Sequence, residues 1–155
     1  MIQQESFITP NCKVVPMETS DALWLYTLFQ DNLVKQYLPG TLMFSDNQEH
    51  TATFIANMIA DNCEQRGFLW KIIHAGNPCG FICVIDIVDK PSCSYAIQSE
   101  YRNKGIMTEC LDTILDCFNE RGYGRLHFDI QSDNSYSILL CSHLLEKHSL
   151  YIHIK

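Results

Sequence analysis

The sequence has no long apolar run, no N-terminal signal and no excess of basic residues. Its longest largely apolar run, residues 80–88, has the length of a β-strand and is too short to cross a membrane. Residues 1–10 have neither the basic start nor the apolar segment of a signal peptide. We therefore expect a cytoplasmic protein with no membrane partner. The formal net charge of −7 argues against a nucleic-acid partner, because phosphates bind basic surfaces.

The motifs of several classes of site are also missing. The eight cysteines include no C-x-x-C pair, and several fall at apolar positions of predicted helices and strands. We therefore expect reduced, structural cysteines rather than a disulfide framework. We predict no metal site, because the histidines lack the spacing of zinc ligands; His143 and His148 would lie on different faces of a helix. Neither a P-loop nor a G-x-G-x-x-G dinucleotide turn is present.

The length and the hydrophobic patterning predict a single domain over residues 1–155. The patterns give the order strand, two helices, three strands, helix, strand, helix, strand. This order indicates an α+β fold, with a mixed six-stranded sheet flanked by about four helices. Ser20 and Ser45 are the predicted N-caps of the first two helices, and residues 31–44 are expected to form a loop or a short helical turn. The predicted strands are 7–15, 68–74, 80–88, 92–98, 125–131 and 150–154, and the predicted helices are 21–30, 45–63, 106–121 and 134–147.

Residues 100–109, EYRNKGIMTE, place a basic turn directly before the clearest helical period in the chain. A helix N-terminus has unpaired N–H groups and a partial positive charge, which together bind phosphate. Gly105 permits close approach of the backbone to an anion, and Arg102 and Lys104 add positive charge. These residues alone leave two interpretations open, a pyrophosphate cradle and an ordinary solvated basic turn.

The same segment resembles the [QR]-x-x-G-x-[GA] signature of the GCN5-related N-acetyltransferase (GNAT) superfamily, in the branch that includes ribosomal-protein serine N-acetyltransferases. Arg102, Gly105 and Met107 occupy the three signature positions, and Met107 departs from the usual small residue. The resemblance implies a GNAT fold and an enzyme that uses acetyl-CoA as co-substrate. The acceptor would be a primary amine, on a protein N-terminus or a small molecule, that attacks the thioester directly.

The resemblance also implies where coenzyme A binds. Backbone N–H groups of the basic turn would hold the pyrophosphate. The preceding strand would splay from its neighbour at a bulge and pair with the pantetheine arm. The N–H of Ile97 would donate to the thioester carbonyl and stabilise the oxyanion. The implied residues are Ala96, Ile97 and Gln98 on the strand and Arg102, Asn103, Lys104, Gly105, Ile106 and Met107 in the turn.

A second family mark, N-x-x-[SA], is matched by Asn134 and Ser137. The resemblance implies that Asn134 contacts the pantetheine arm and that Ser137 donates a proton to the leaving thiolate. The alternative is helix capping by Asn134, with Ser137 completing the first turn, and the two roles can coexist. Cys141 stands where many family members have a tyrosine general acid. A buried thiol is more often inert than catalytic, so Ser137 or water is the expected proton donor.

The acceptor side is less well defined by the sequence. An amine must lose a proton to attack, and a carboxylate can accept that proton. Asp86, Glu100 and Glu109 are the candidate bases, and Glu109 is expected on a solvated helix face. Tyr37 and Phe44 belong to the loop that shapes the acceptor pocket in relatives. Packing of these two aromatic rings on the core is the equally plausible alternative.

The C-terminal part departs from the family pattern. Relatives usually have a Gly-Phe pair after the last large helix and one more strand, which this sequence lacks. The strand at 150–154 would then present an exposed edge, and such edges tend to pair. We expect either a homodimer through this edge or a poorly ordered end. The departure also leaves a second function open, a catalytically degenerate acyl-CoA-binding or protein-interaction module.

Overall fold

The computed structural model describes residues 5–155, apart from the side chain of Leu42. Residues 1–4, the start of the segment predicted to lack a signal peptide, lie outside the described residues. No helix within residues 5–155 is both long enough and apolar enough to span a membrane. The strands are β1 Phe7–Ile8, β2 Cys12–Pro16, β3 Phe68–His74, β4 Asn77–Ile85, β5 Ser92–Ile97, β6 His127–Ile130 and β7 Tyr151–Ile154, and the α-helices are α1 Ala22–Phe29, α2 Asn32–Tyr37, α3 Gln48–Cys63, α4 Ile106–Glu120 and α5 Ser135–Leu145.

The strands form one mixed sheet whose spatial order follows the chain order. Strands β1 to β5 are antiparallel to their neighbours, whereas β5–β6 and β6–β7 are parallel. Helices α4 and α5 provide the two crossovers that parallel pairing requires. The predicted mixed sheet with flanking helices is therefore confirmed.

Within residues 5–155 the sheet has seven strands rather than six, because the predicted first strand is a hairpin. The chain turns at residues 9–11, where the Thr9 N–H donates to the Cys12 carbonyl at 2.9 Å. Pro10 lies in this turn and has no N–H to offer a ladder. The fifth helix, α2, forms in the stretch expected to be a loop or helical turn. Asp31 caps it, since its Oδ1 accepts from the N–H groups of Leu33 and Val34 at 2.9 and 3.2 Å.

Both predicted serine N-caps are wrong. Ser20 lies inside a short 3₁₀ turn, Thr19–Asp21, that precedes α1. The cap of α3 is Asn47, whose Oδ1 accepts from the His50 N–H at 2.8 Å. Ser45 is buried two residues earlier, and its carbonyl accepts from the Gln30 side chain at 2.8 Å. Asparagine is as good a cap as serine, so local preference does not distinguish the two positions.

Two apolar cores lie on the two faces of the sheet. One contains α4 and α5, and all seven predicted apolar positions of α4 are buried in it: Ile106, Met107, Cys110, Leu111, Ile114, Leu115 and Phe118. The other contains α1 and α3, with Leu25, Phe29 and Ile55 fully buried. All eight cysteines are free thiols, and six are buried, which confirms the expectation of structural, reduced cysteines.

Candidate active site

An opening lies in the sheet between β5 and β6. The two strands pair only at Ser92 and His127, where the His127 N–H donates to the Pro91 carbonyl at 2.7 Å. Beyond that point they diverge around a cavity of about 150 Å³. The cavity is lined by three groups of residues: Leu33, Val34, Tyr37 and Leu38 of the α2 region; Cys93, Ser94, Tyr95, Ala96, Ile97 and Arg102; and Phe128, Asp129, Ile130, Gln131, Asn134, Tyr136 and Ser137.

The backbone of β5 directs alternate residues toward this opening. The Pro91 carbonyl faces β6, whereas the Gln98 N–H donates in the other direction, to the Cys79 carbonyl of β4 at 2.7 Å. Because backbone groups alternate between the two sides of a strand, the N–H of Ile97 points into the opening. Ala96 and Ile97 line the cavity, while Gln98 lies outside its lining. The expected bulge is not in β5, which pairs with β4 without a register shift; the shift lies between β3 and β4, where Cys79 of β4 is the extra residue opposite Ile72 and Ile73.

Arg102 lines the cavity and precedes the N-terminus of α4, whereas residues 103–107 lie outside the lining. Gly105 is the N-cap residue, has φ of +75° and supplies no capping side chain, so the first N–H groups of α4 are left for another acceptor. A Cβ built on Gly105 would meet no atom within 4 Å. Asn103 also has positive φ, 62°, and the Lys104 ammonium lies 5.8 Å from the Tyr101 ring centroid. The turn is therefore an open, positively polarised concavity that fits an anion.

Arg102 has a partner that the sequence did not indicate. Its guanidinium lies 3.0 Å from Oδ1 of Asp31, the carboxylate that caps α2, and both side chains are largely buried. Burial alone would raise the pKa of Asp31, but the hydrogen bonds from Arg102 and from the α2 N–H groups hold it below its usual value. The charge of Arg102 thus ties α2 to the turn before α4.

Helix α2 covers the opening from one side. Its Tyr37 hydroxyl donates to the Asp133 carbonyl at 3.3 Å, and the Gln131 amide donates to the Gln36 carbonyl at 2.9 Å. Tyr37 therefore lines the cavity. Phe44 does not belong to the lining; it stacks on Phe54 with ring centroids 4.2 Å apart. Its contacts are those of core packing, the alternative to a substrate-binding role.

The start of α5 forms the opposite wall. Asn134 and Ser137 both line the cavity, and Oδ1 of Asn134 caps α5 by accepting from the Ser137 N–H at 3.2 Å. Cys141 follows one turn later and is fully buried. Burial raises the pKa of the Cys141 thiol to about 11, against a smaller lowering by Tyr95. The thiol therefore stays protonated at neutral pH, and an S–H group is only a weak hydrogen-bond donor.

The three acids considered as bases lie outside the cavity lining. Asp86 and Glu100 are exposed, in the turn after β4 and in the short 3₁₀ helix Ser99–Tyr101. Glu109 is not on a solvated face, because Thr9 and Asn11 of the β1–β2 hairpin donate to its carboxylate. Burial would raise the pKa of Glu109, but these hydrogen bonds lower it overall. Glu109 joins the hairpin to α4.

Asp129 is the acid that sequence reasoning missed. Within residues 5–155 it is the sole acidic side chain in the cavity lining. Its neighbours Phe128 and Ile130 are buried in the α4/α5 core, so Asp129 faces the other side of the sheet. The Nδ1 of His153 and the Nζ of Lys155 lie 3.5 and 3.8 Å from its carboxylate. Strand alternation in HFDI was the signal that could have identified it.

A separate group of possible metal ligands lies at the end of α5. Atoms of Asp112, Asp116 and His148 come within 4.8 Å of one another. The buried Nε2 of His148 already contacts Oδ1 of Asp112 at 2.6 Å, and the Lys147 ammonium lies 3.2 Å from the same carboxylate. These contacts, a hydrogen bond from His148 and an ion pair from Lys147, link the end of α5 to α4.

Several solved structures share this fold. RimL, described as a ribosomal L7/L12 alpha-N-protein acetyltransferase in complex with coenzyme A, superposes with a TM-score of 0.82 at 17% identity, covering 90% of this chain and 82% of RimL. The Salmonella typhimurium acetyltransferase that modifies the N-terminal serine of L7/L12 has a TM-score of 0.77 at 18% identity, over 90% and 83% of the two chains. The microcin C7 self-immunity acetyltransferase MccE, in complex with acetyl-CoA and AMP, has a TM-score of 0.74 at 17% identity, over 87% and 78%. At these identities the likeness concerns the fold.

The sequence itself gives the family. No curated protein matches the chain, but the family model of the acetyltransferase (GNAT) domain matches residues 13–144. The matched region contains the open sheet, the turn before α4 and the start of α5. The chain belongs to the GNAT acetyltransferase family.

Proposed function

We propose that this protein is an N-acetyltransferase that moves an acetyl group from acetyl-CoA to a primary amine, with residues 1–155 acting as one domain. The observation that carries the proposal is the opening between β5 and β6. It brings the free backbone N–H of Ile97 and the start of α5 to one cavity, and Arg102, in the turn before α4, also lines that cavity. An extended thioester with a pyrophosphate at one end matches this arrangement.

The residues present fit coenzyme A. The concavity at Asn103, Lys104, Gly105, Ile106 and Met107 would hold the pyrophosphate through backbone N–H groups, because Gly105 leaves open space where a Cβ would stand. The free edge of β5, with Ala96 and Ile97, would pair with the pantetheine arm, and Asn134 would contact it from α5. Arg102 has a different role in this proposal, since its guanidinium is paired with Asp31.

Acetyl-CoA supplies an activated acyl group, and the side chains around the cavity supply the rest. The Ile97 N–H donates to the thioester carbonyl oxygen, where negative charge develops during attack. Asp129 accepts the proton that the amine must lose, directly or through water. Ser137 lies on the opposite wall, where it can donate to the leaving sulfur. The amine approaches beneath α2, where Tyr37 lines the cavity.

The acceptor we favour is the amine of a protein N-terminus, with small-molecule amines as the alternative. RimL and the Salmonella enzyme act on an N-terminal residue of a ribosomal protein, which supports this choice, as does the acidic net charge of −7. We further propose a homodimer through β7, the outer strand, where Tyr151 and Ile154 are half exposed. Light scattering after size exclusion measures this directly, and a monomer at micromolar concentration would exclude it.

The test is calorimetric titration with acetyl-CoA followed by thiol release over a panel of N-terminal peptides and small amines. Asp129→Asn should lower kcat by about 10²-fold with little change in acetyl-CoA affinity. Asp86→Asn is the matched control, because Asp86 is an exposed acid outside the cavity. Tight binding of acetyl-CoA without thiol release to any acceptor would instead indicate the degenerate acyl-CoA-binding module.

A further inference from the structure

Tyr95 has an unsatisfied hydroxyl in the cavity wall. The residue lies on β5, two positions before Ile97, and belongs to the lining of the cavity. The hydroxyl oxygen has no exposure to solvent and makes no hydrogen bond of ordinary geometry. A buried hydroxyl without a partner is costly, and such groups in native proteins call for an explanation.

The surroundings of this hydroxyl are specific. Tyr95 packs on the α4/α5 side of the sheet, with its ring 6.3 Å from the Phe128 ring. The Tyr95 hydroxyl lies close enough to Ser137 and Cys141 of α5, and to Cys93 of β5, for these side chains to change its pKa. Burial is the main cause that raises the pKa of Tyr95 well above its usual value, and the two thiols also raise it. The hydroxyl therefore keeps its proton and remains a donor.

The same surroundings disfavour a bare sulfur anion. Burial raises the pKa of the Cys141 thiol to about 11 and that of the neighbouring Cys93 further. A thiolate leaving at this wall meets the same desolvation. It therefore needs a hydrogen-bond donor that is already in place, and an unpartnered phenol is such a group.

We propose that the Tyr95 hydroxyl is a catalytic hydrogen-bond donor to the sulfur of coenzyme A as it leaves. The inference rests on the proposed acetyl transfer and adds a residue to it. The amine nitrogen forms the bond to the acetyl carbon, the carbon–sulfur bond breaks, and its electron pair stays on sulfur, which accepts the Tyr95 O–H. The amine proton leaves separately through Asp129. Tyr95, on the strand, thus supplies a phenol beside Cys141, a helix residue whose S–H is only a weak hydrogen-bond donor.

The test compares the wild type with Tyr95→Phe, which removes one oxygen and keeps the ring. The thiolate absorbance of bound coenzyme A is titrated against pH, with the desulfo-coenzyme A complex as the blank that subtracts the protein's own thiols. The pKa of the bound thiol should be about one to two units higher in Tyr95→Phe, because the donor that stabilises the anion is lost. Tyr151→Phe, which removes a hydroxyl from an exposed ring on β7, should leave that pKa unchanged.

Turnover provides a second readout. With any acceptor that the wild type accepts, Tyr95→Phe should lower kcat by about 10²-fold and leave KM for acetyl-CoA within about twofold. The melting temperature should not fall, since the replaced hydroxyl has no hydrogen bond to lose. These three readouts distinguish a hydrogen-bond donor from a packing residue. Loss of a packing residue would lower the melting temperature and leave the pKa of the bound thiol unchanged.

Two results would overturn the inference, and they differ. Equal thiol pKa values and equal kcat in wild type and Tyr95→Phe, with normal coenzyme A affinity, would show that Tyr95 is not the donor while leaving the proposed function intact. Absence of coenzyme A binding by the wild type would remove the proposed function and this inference with it.

Discussion

Replacing Gly105 with alanine would separate the backbone strain at this position from its proposed role in binding an anion. The residue has φ of +75°, and the added Cβ would meet no atom within 4 Å. Steric clash within the protein is therefore absent, and the cost is that of a left-handed L-residue, roughly 1–2 kcal/mol. For a chain of this size that corresponds to a fall in melting temperature of roughly 2–8 °C.

The glycine beyond the other end of α4 is a close control. Gly122 follows the C-terminal end of the helix with φ of +72°, and a Cβ there would also meet no atom within 4 Å. Gly122→Ala should cost the same 1–2 kcal/mol or so and keep coenzyme A affinity. Gly105→Ala should weaken that affinity by about tenfold or more, equivalent to ~1.4 kcal/mol. Calorimetric titration and a thermal melt measure the two quantities on the same samples.

Gly105→Asp sharpens the comparison because its two effects have opposite signs. A carboxylate at a helix N-terminus stabilises the helix by about 0.3–1 kcal/mol, so the melting temperature should fall no further than in Gly105→Ala. The same charge repels a pyrophosphate, so binding should disappear. Equal coenzyme A affinities in Gly105→Asp, Gly122→Ala and wild type would refute the assignment of the α4 N-terminus as the cradle.

Three further predictions concern the framework around the cavity. Asp31→Ala, which removes both the α2 cap and the Arg102 pair, should cost about 2 kcal/mol in urea unfolding. Glu109 has a lowered pKa in the folded protein, so its hydrogen bonds add stability that is complete above about pH 4.5. That stability is lost as the pH falls through the lowered pKa. Glu109→Gln should therefore reduce the fall in melting temperature between about pH 7 and pH 3. Met107→Ala leaves a cavity at a fully buried position and should lower the free energy of unfolding by about 2–5 kcal/mol. Its coenzyme A affinity at low temperature should stay within about threefold of the wild type, because the backbone N–H remains, and a tenfold loss of affinity would contradict this.

Local patterns were sufficient for most of the fold. The α4 helix follows from apolar residues at helical spacing, and all its predicted core positions are buried. The β3 strand has its predicted bounds. The N-cap predictions failed because several residues near each helix start can cap on nearly equal terms; Asn47 caps α3, and Ser20 lies within a 3₁₀ turn.

The residues of the proposed site divide along the same line. Gly105, Asn134 and Ser137 stand in short motifs whose role depends on the helix they begin, so the sequence by itself was enough to indicate them. Asp129 and Tyr95 belong to no motif, and their importance comes from the side of the strand on which they lie and from what packs against it.

The sequence alone determined most of the element order, the helix α4 and the family, because these depend on spacing between near neighbours. Only the tertiary structure decided which polar groups share the cavity. Arg102 meets Asp31 across 71 residues, and Glu109 meets Thr9 across 100. Such contacts form when the sheet and its helices pack, and no pattern of neighbouring residues records them. The free Tyr95 hydroxyl is likewise a property of the packed wall, since only burial removes water from it.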